Sequence, residues 1–130
     1  MNSVVTGGAG FIGSHLAEKL MQIGSVVVYD NLISGKIENI EKNINNKNFT
    51  FILGDVLDTE KLTKTFIGND IVFHFAANSE VRTTATDLDL KQGIISTWSV
   101  LEAMRLSGIK KLIYASSSTV YGDCGAFICR

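Results

Sequence analysis

An apolar run, Val4-Val5-Thr6, leads into three glycines spaced three apart, Gly7, Gly10 and Gly13, which merge into the helical pattern Phe11-Ile12-Gly13-Ser14-His15-Leu16. That order reads as strand, tight turn and helix. It constrains the chain more than any other stretch, because so glycine-rich a turn brings bare backbone N–H groups to a helix start. A helix N-terminus carries unpaired donors and partial positive charge, which suits a pyrophosphate. Gly7 is expected to make the turn, Gly10 to let the backbone approach a phosphate, and Gly13 to let helix and strand pack closely. The spacing G-x-x-G-x-x-G departs by one residue from the G-x-G-x-x-G of ordinary dinucleotide sites. Glycines alone also fit a plain tight turn, so the residues C-terminal to them decide.

Beyond the turn, strand and helix alternate regularly. The first helix is expected from about Gly10 to Ile23, with Ile12, Leu16, Leu20 and Ile23 on one face and Gly24 as C-cap. Val26-Val27-Val28-Tyr29 is an unbroken apolar run, as expected of a strand covered on both faces, and it ends at Asp30. An acidic residue about 20 positions beyond the glycine turn is where a dinucleotide domain hydrogen-bonds the adenosine ribose. A carboxylate there repels a 2′-phosphate, so Asp30 predicts NAD rather than NADP. A weak helix is expected from about Ile37 to Ile44, a third strand at Phe49 to Leu53, and a short helix capped by Asp58. The fourth strand, Asp70 to Phe75, runs into Ala76-Ala77, small residues that leave room for a ligand at the sheet's switch point. The longest helix is expected from about Leu88 to Leu106, with Leu90, Ile94, Trp98, Leu101 and Met104 near one face. A fifth strand is expected at Leu112 to Ala115. Right-handed crossovers then give an α/β, Rossmann-type doubly wound parallel sheet ordered 3-2-1-4-5.

Bulk properties agree with one globular domain. The chain has 130 residues, 45% hydrophobic and 19% charged, with a formal net charge of −1, which gives no reason to expect nucleic acid or a membrane surface as partner. No apolar run approaches a membrane span, and no basic-then-apolar leader stands at the N-terminus. Cys124 and Cys129 lack further ligand-type neighbours, so no metal site is expected and a reducing, cytoplasmic setting is.

By the fifth strand the motifs Thr6-Gly-Gly-Ala-Gly-Phe-Ile-Gly-Ser-His-Leu16, Asp30-Asn31-Leu32, Gly54-Asp55, His74-Phe-Ala-Ala77 and Ser116-Ser-Ser-Thr-Val-Tyr-Gly-Asp123 have come in order. Residues 1–123 resemble the extended short-chain dehydrogenase/reductase family, and within it the NAD-dependent sugar-nucleotide epimerases and dehydratases. The resemblance implies that Gly7, Gly10, Phe11, Ile12 and Gly13 cradle the NAD pyrophosphate. Asp30 and Asn31, with Ser34 and Gly35, would hold the adenosine ribose and its phosphate, and Asp55 and Val56 would line the adenine pocket. Phe75, Ala76 and Ala77 would pass close to the pyrophosphate and nicotinamide ribose. Ser117 corresponds to the family's catalytic Ser/Thr, with Thr119 nearby in the same site. A nucleotide sugar is the implied substrate. The implied chemistry is transient oxidation, in which a tyrosinate takes the sugar hydroxyl proton while hydride passes to NAD, and a lysine four residues after the tyrosine favours the phenolate.

That last pair is missing. The residues four beyond Tyr29, Tyr114 and Tyr121 are Ile33, Ser118 and Gly125, so the chain holds no Tyr-x-x-x-Lys. The asparagine that the family carries on its long helix is Gly93, and the proline usual near Leu88 is absent. Residues 124–130 fall outside the resemblance, as if the fold were truncated before a sixth strand. The exposed sheet edge this would leave predicts self-association. The expected role is the NAD-binding portion of a nucleotide-sugar epimerase or dehydratase. The alternatives are a non-catalytic NAD-binding module and an inactive truncated product.

Overall fold

The computed structural model describes residues 1–77, 90–117 and 120. Five parallel strands, β1 (Asn2–Thr6), β2 (Ser25–Asp30), β3 (Phe49–Leu53), β4 (Ile71–His74) and β5 (Leu112–Tyr114), form one sheet ordered β3-β2-β1-β4-β5. This is the expected doubly wound arrangement. The order reverses at β1, whose Thr6 pairs with Tyr29 on one side and His74 on the other. Three α-helices are described: α1 (Phe11–Leu20), α2 (Thr59–Phe66) and α3 (Ser96–Ser107).

Alternating side chains of the strands feed two cores. On one face Val4, Tyr29 and Val72 pack with Leu62 and Phe66 of α2 and Val100, Ala103 and Met104 of α3. On the other, Val5, Val26, Val28 and Phe73 pack with Ala17 and Leu20 of α1. Burial on both sides of the sheet explains why β2 reads as a continuous apolar run rather than an alternating one.

Four local expectations are corrected. Helix α1 is shorter than expected, and its buried face is Gly13, Ser14, Ala17 and Leu20, while Ile12 and Ile23 are exposed. The helix lies so close to the glycine turn that a Cβ on Gly13 would collide with the Gly7 carbonyl, so small residues face the sheet. Gly24 is not the C-cap, which is Met21; a Cβ at Gly24 would instead strike the Met1 carbonyl. The segment after β2 forms two 3-10 turns, Ile37–Asn39 and Glu41–Asn43, not an α-helix. There the Asn39 side chain and the Lys36 N–H both donate to the Ala9 carbonyl, at 2.7 and 3.1 Å, which pins the segment to the glycine turn.

Helix α3 is preceded by a π-helical turn, Lys91–Ile95, and of its expected apolar face Met104 alone is buried. Ser96, Ser99, Val100, Ala103 and Met104 are buried, whereas Leu90, Ile94, Trp98 and Leu101 are exposed. Close packing of α3 along α2 favours the small side chains on the inner side. The expected helix start at Leu88 lies outside the described residues. No described helix is long and apolar enough to cross a membrane.

Candidate functional site

The carboxyl ends of β1 to β5 open into one cleft of about 550 Å³ at the switch point of the sheet. Its floor is the glycine turn. Gly7 adopts φ 71°, a left-handed conformation, and a Cβ there would sit 2.5 Å from the Ala76 N, so no other residue fits without displacing the chain after β4. The Gly7 N–H donates to Tyr29 O at 2.9 Å and Phe75 N–H to Thr6 O at 3.0 Å, which extends the sheet ladder into the cleft walls.

Helix α1 points its N-terminus into this space. Gly10 is its N-cap, no side chain caps it, and its first turn holds no acidic residue. The leading N–H groups of a helix have no intrahelical acceptors, so an uncapped, uncharged start offers donors and partial positive charge to an anion. A Cβ at Gly10 would meet only the Gly7 carbonyl, at 3.2 Å. Chain neighbours aside, no other atom of the described residues comes within 4 Å of that point.

Asp30 closes the end of β2. Its carboxylate is buried and accepts Ala9 N–H at 3.0 Å and Leu32 N–H at 2.8 Å, so it braces both the glycine turn and its own loop. Leu32 is held at φ 59°, the left-handed region, within that brace. Gly35 leaves room for the same carboxylate, since a Cβ would lie 2.8 Å from Asp30 Oδ1. Asp55 is tied in turn: Asn31 Nδ2 donates to Oδ2 at 3.2 Å and Leu57 N–H to Oδ1 at 2.9 Å.

The fourteen residues expected at the cofactor, Gly7, Gly10, Phe11, Ile12, Gly13, Asp30, Asn31, Ser34, Gly35, Asp55, Val56, Phe75, Ala76 and Ala77, all line this cleft. Ser117 lies just beyond β5 at the same end of the sheet, and its carbonyl accepts Val120 N–H at 3.2 Å, but it is not part of the cleft wall. Thr119 lies outside the described residues, as do Tyr121, Cys124 and Cys129.

Sequence reasoning left out six of the lining residues: Tyr29, Ile33, Gly54, Leu57, Lys91 and Ala115. Tyr29 lines the cleft from a buried position, donating its hydroxyl to the Asp55 carbonyl at 3.0 Å. Burial first, then the Asp58 and Asp55 charges, pushes the phenol up to about 12, so it stays protonated at neutral pH. Its ring also explains Gly54, where a Cβ would collide with it. Ile33, Leu57, Ala115 and Lys91 complete the wall. Ala115 continues β5 by donating its N–H to the His74 carbonyl at 3.1 Å, a small strand-end residue of the same kind as Ala76. Lys91 had no signal of its own, because it falls inside the expected Leu88–Leu106 helix but off its apolar face.

A parallel sheet with its cleft at the switch point, floored by a glycine turn and an open helix start, defines a Rossmann-type α/β protein. Residues 3–128 match the NAD dependent epimerase/dehydratase family, and the chain belongs to it. It is 40% identical to a UDP-glucose 4-epimerase of Bacillus subtilis (strain 168), over 94% of this chain and 38% of that protein. With a UDP-glucose 4-epimerase of Klebsiella pneumoniae it shares 38% identity, over 95% of this chain and 94% of that sequence. Among solved structures, a UDP-glucose 4-epimerase from Stenotrophomonas maltophila with bound NAD and formylated UDP-arabinopyranose superposes with a TM-score of 0.85. That pair is 33% identical and covers 94% of this chain and 38% of the other. The chain thus spans about two fifths of the Bacillus and Stenotrophomonas proteins.

Proposed function

We propose that this chain is the NAD-binding portion of a nucleotide-sugar epimerase or dehydratase, similar to UDP-glucose 4-epimerase. The observation that supports it most is the shared position of the uncapped α1 N-terminus and the braced Asp30 carboxylate in one cleft. The α1 start and the Gly10 backbone would bind the cofactor diphosphate. Asp30 would accept the adenosine ribose hydroxyls and repel a 2′-phosphate. Asn31, Ser34 and Gly35 would flank that ribose, Asp55 and Val56 the adenine, and Phe75 to Ala77 the nicotinamide half. Bound NAD supplies a hydride acceptor for transient oxidation of a sugar hydroxyl. Ser117 and Thr119 would position that hydroxyl.

The activated base is a separate matter. No Tyr-x-x-x-Lys stands in the sequence, and Tyr29 is held protonated under the cofactor pocket. These residues alone would bind cofactor without turnover, the role of a non-catalytic NAD-binding module. The setting would be cytoplasmic. Self-association would run through β5, which is an edge strand among the described residues and whose Ile113 and Tyr114 are about half exposed. Analytical ultracentrifugation should show mass rising with concentration, and Ile113→Lys should abolish the rise; a monomer at all concentrations removes this part.

Calorimetric titration with NAD and NADP tests the main assignment. NAD should bind and NADP should bind at least about tenfold more weakly, a difference of about 1.4 kcal/mol. Equal affinities would overturn the Asp30 assignment, and binding of neither would leave the glycine turn as scaffold.

A further inference from the structure

The described wall of the cleft carries three formally charged side chains: Asp30, Asp55 and Lys91. Both carboxylates accept from neutral groups, Asp30 from Ala9 and Leu32 N–H and Asp55 from Asn31 Nδ2 and Leu57 N–H. Among the described residues no cation pairs with either. A diphosphate entering such a cleft brings two more negative charges. The α1 start offsets about half a charge.

Lys91 is the described cation in this wall, and among the described residues no carboxylate pairs with it. It opens the π-helical turn Lys91–Ile95 ahead of α3. Single π turns are rare and recur at functional sites, because the extra residue re-aims side chains at the helix start. Within the turn the Gly93 carbonyl accepts the Thr97 and Ser96 hydroxyls at 2.7 and 3.3 Å, and a Cβ at Gly93 would meet nothing within 4 Å among the described residues.

We propose that Lys91 is a positioning residue for the cofactor diphosphate, its ammonium supplying the charge that the glycine turn and α1 lack. This rests on the NAD assignment above. A lysine suits the role as a mobile point charge that follows a phosphate without demanding bidentate geometry. Because the side chain is exposed, its effect is modest and screened by salt.

The test is titration of the whole chain and its Lys91→Gln and Lys91→Arg variants with NAD, ADP-ribose, adenosine and UDP-glucose, at low and high ionic strength. Lys91→Gln should weaken NAD and ADP-ribose about fivefold at low salt, with the difference closing at high salt, while adenosine is unaffected and Lys91→Arg keeps the affinity. Equal NAD affinity and equal salt dependence in Lys91→Gln would overturn the proposal while leaving the NAD assignment standing. A loss for UDP-glucose but not for NAD would overturn it too, placing the lysine at the substrate. A loss that includes adenosine would show a structural role and likewise overturn it. Failure of the unsubstituted chain to bind NAD or ADP-ribose would remove both.

Discussion

The carboxylate of Asp30 accepts the backbone N–H of Ala9 at 3.0 Å, joining the end of β2 to the glycine turn 21 residues earlier. A residue suited to ligand discrimination therefore also builds the site. Asp30→Ala would leave the Ala9 donor buried without its acceptor and should destabilise the chain by about 1–3 kcal/mol in urea unfolding. Asp30→Asn keeps one of the two acceptors and drops the charge, so it should destabilise less than Asp30→Ala and lose discrimination between NAD and NADP.

Gly7 and Gly10 separate scaffold from ligand space. Gly7→Ala forces a Cβ into the Ala76 backbone at a left-handed φ, and should cost about 3 kcal/mol or more, or prevent folding. Gly10→Ala meets only a 3.2 Å contact to the Gly7 carbonyl and should cost under about 1 kcal/mol. Its NAD affinity should nevertheless fall at least about tenfold, since the methyl group occupies the phosphate approach. Unfolding curves and calorimetry on the pair check both halves.

His74 gives the fold a pH dependence. It is fully buried at the end of β4, its Nδ1 is 2.6 Å from Thr6 Oγ1, and its Nε2 has no hydrogen-bond partner among the described residues. Burial lowers its pKa from 6.5 to about 4. Below pH 6.5 the unfolded chain takes up a proton that the folded chain refuses until about pH 4. Stability should therefore fall as pH drops through that window, by up to about 3 kcal/mol. Urea unfolding at pH 7 and pH 5 measures the loss, and His74→Gln should flatten most of it.

Gly93 is a position where the fold can be improved. It lies in the turn before α3 with φ outside the left-handed region and open space where a Cβ would go. Gly93→Ala should raise stability by about 0.5–1 kcal/mol through the unfolded chain's entropy, seen as a higher urea midpoint at unchanged slope.

The strand order and the cleft were legible because both follow from backbone rules. Parallel strands need crossovers, crossovers have one hand, and ligand-facing turns gather at the carboxyl ends. The helix faces were not. Periodicity put Ile12 and Ile23 of the α1 region inside, and likewise Leu90, Ile94, Trp98 and Leu101 along α3, yet all are exposed. The buried sides are built instead from Gly13, Ser14 and Ala17 in α1 and from Ser96, Ser99 and Ala103 in α3. Small residues permit close approach of a helix to the sheet or to another helix, and a hydrophobicity pattern does not register closeness. The loop after β2 escaped for a related reason: Asn39 bonds Ala9 across 30 residues, a tertiary contact that selects 3-10 turns over a helix.

On the proposed assignment NAD lies across the carboxyl ends of the strands, its diphosphate at α1 and its adenosine ribose at Asp30. Amide NMR titration of the isotope-labelled chain with NAD reads that placement residue by residue. Saturable shifts are predicted at the amides of Gly7 to Gly13, Asp30 to Gly35, Asp55 and Val56, and Phe75 to Ala77, with the opposite end of the sheet, near Asn69 and Lys111, unmoved. Shifts scattered over the surface, or none at Gly10 and Asp30 at saturating NAD, would contradict it.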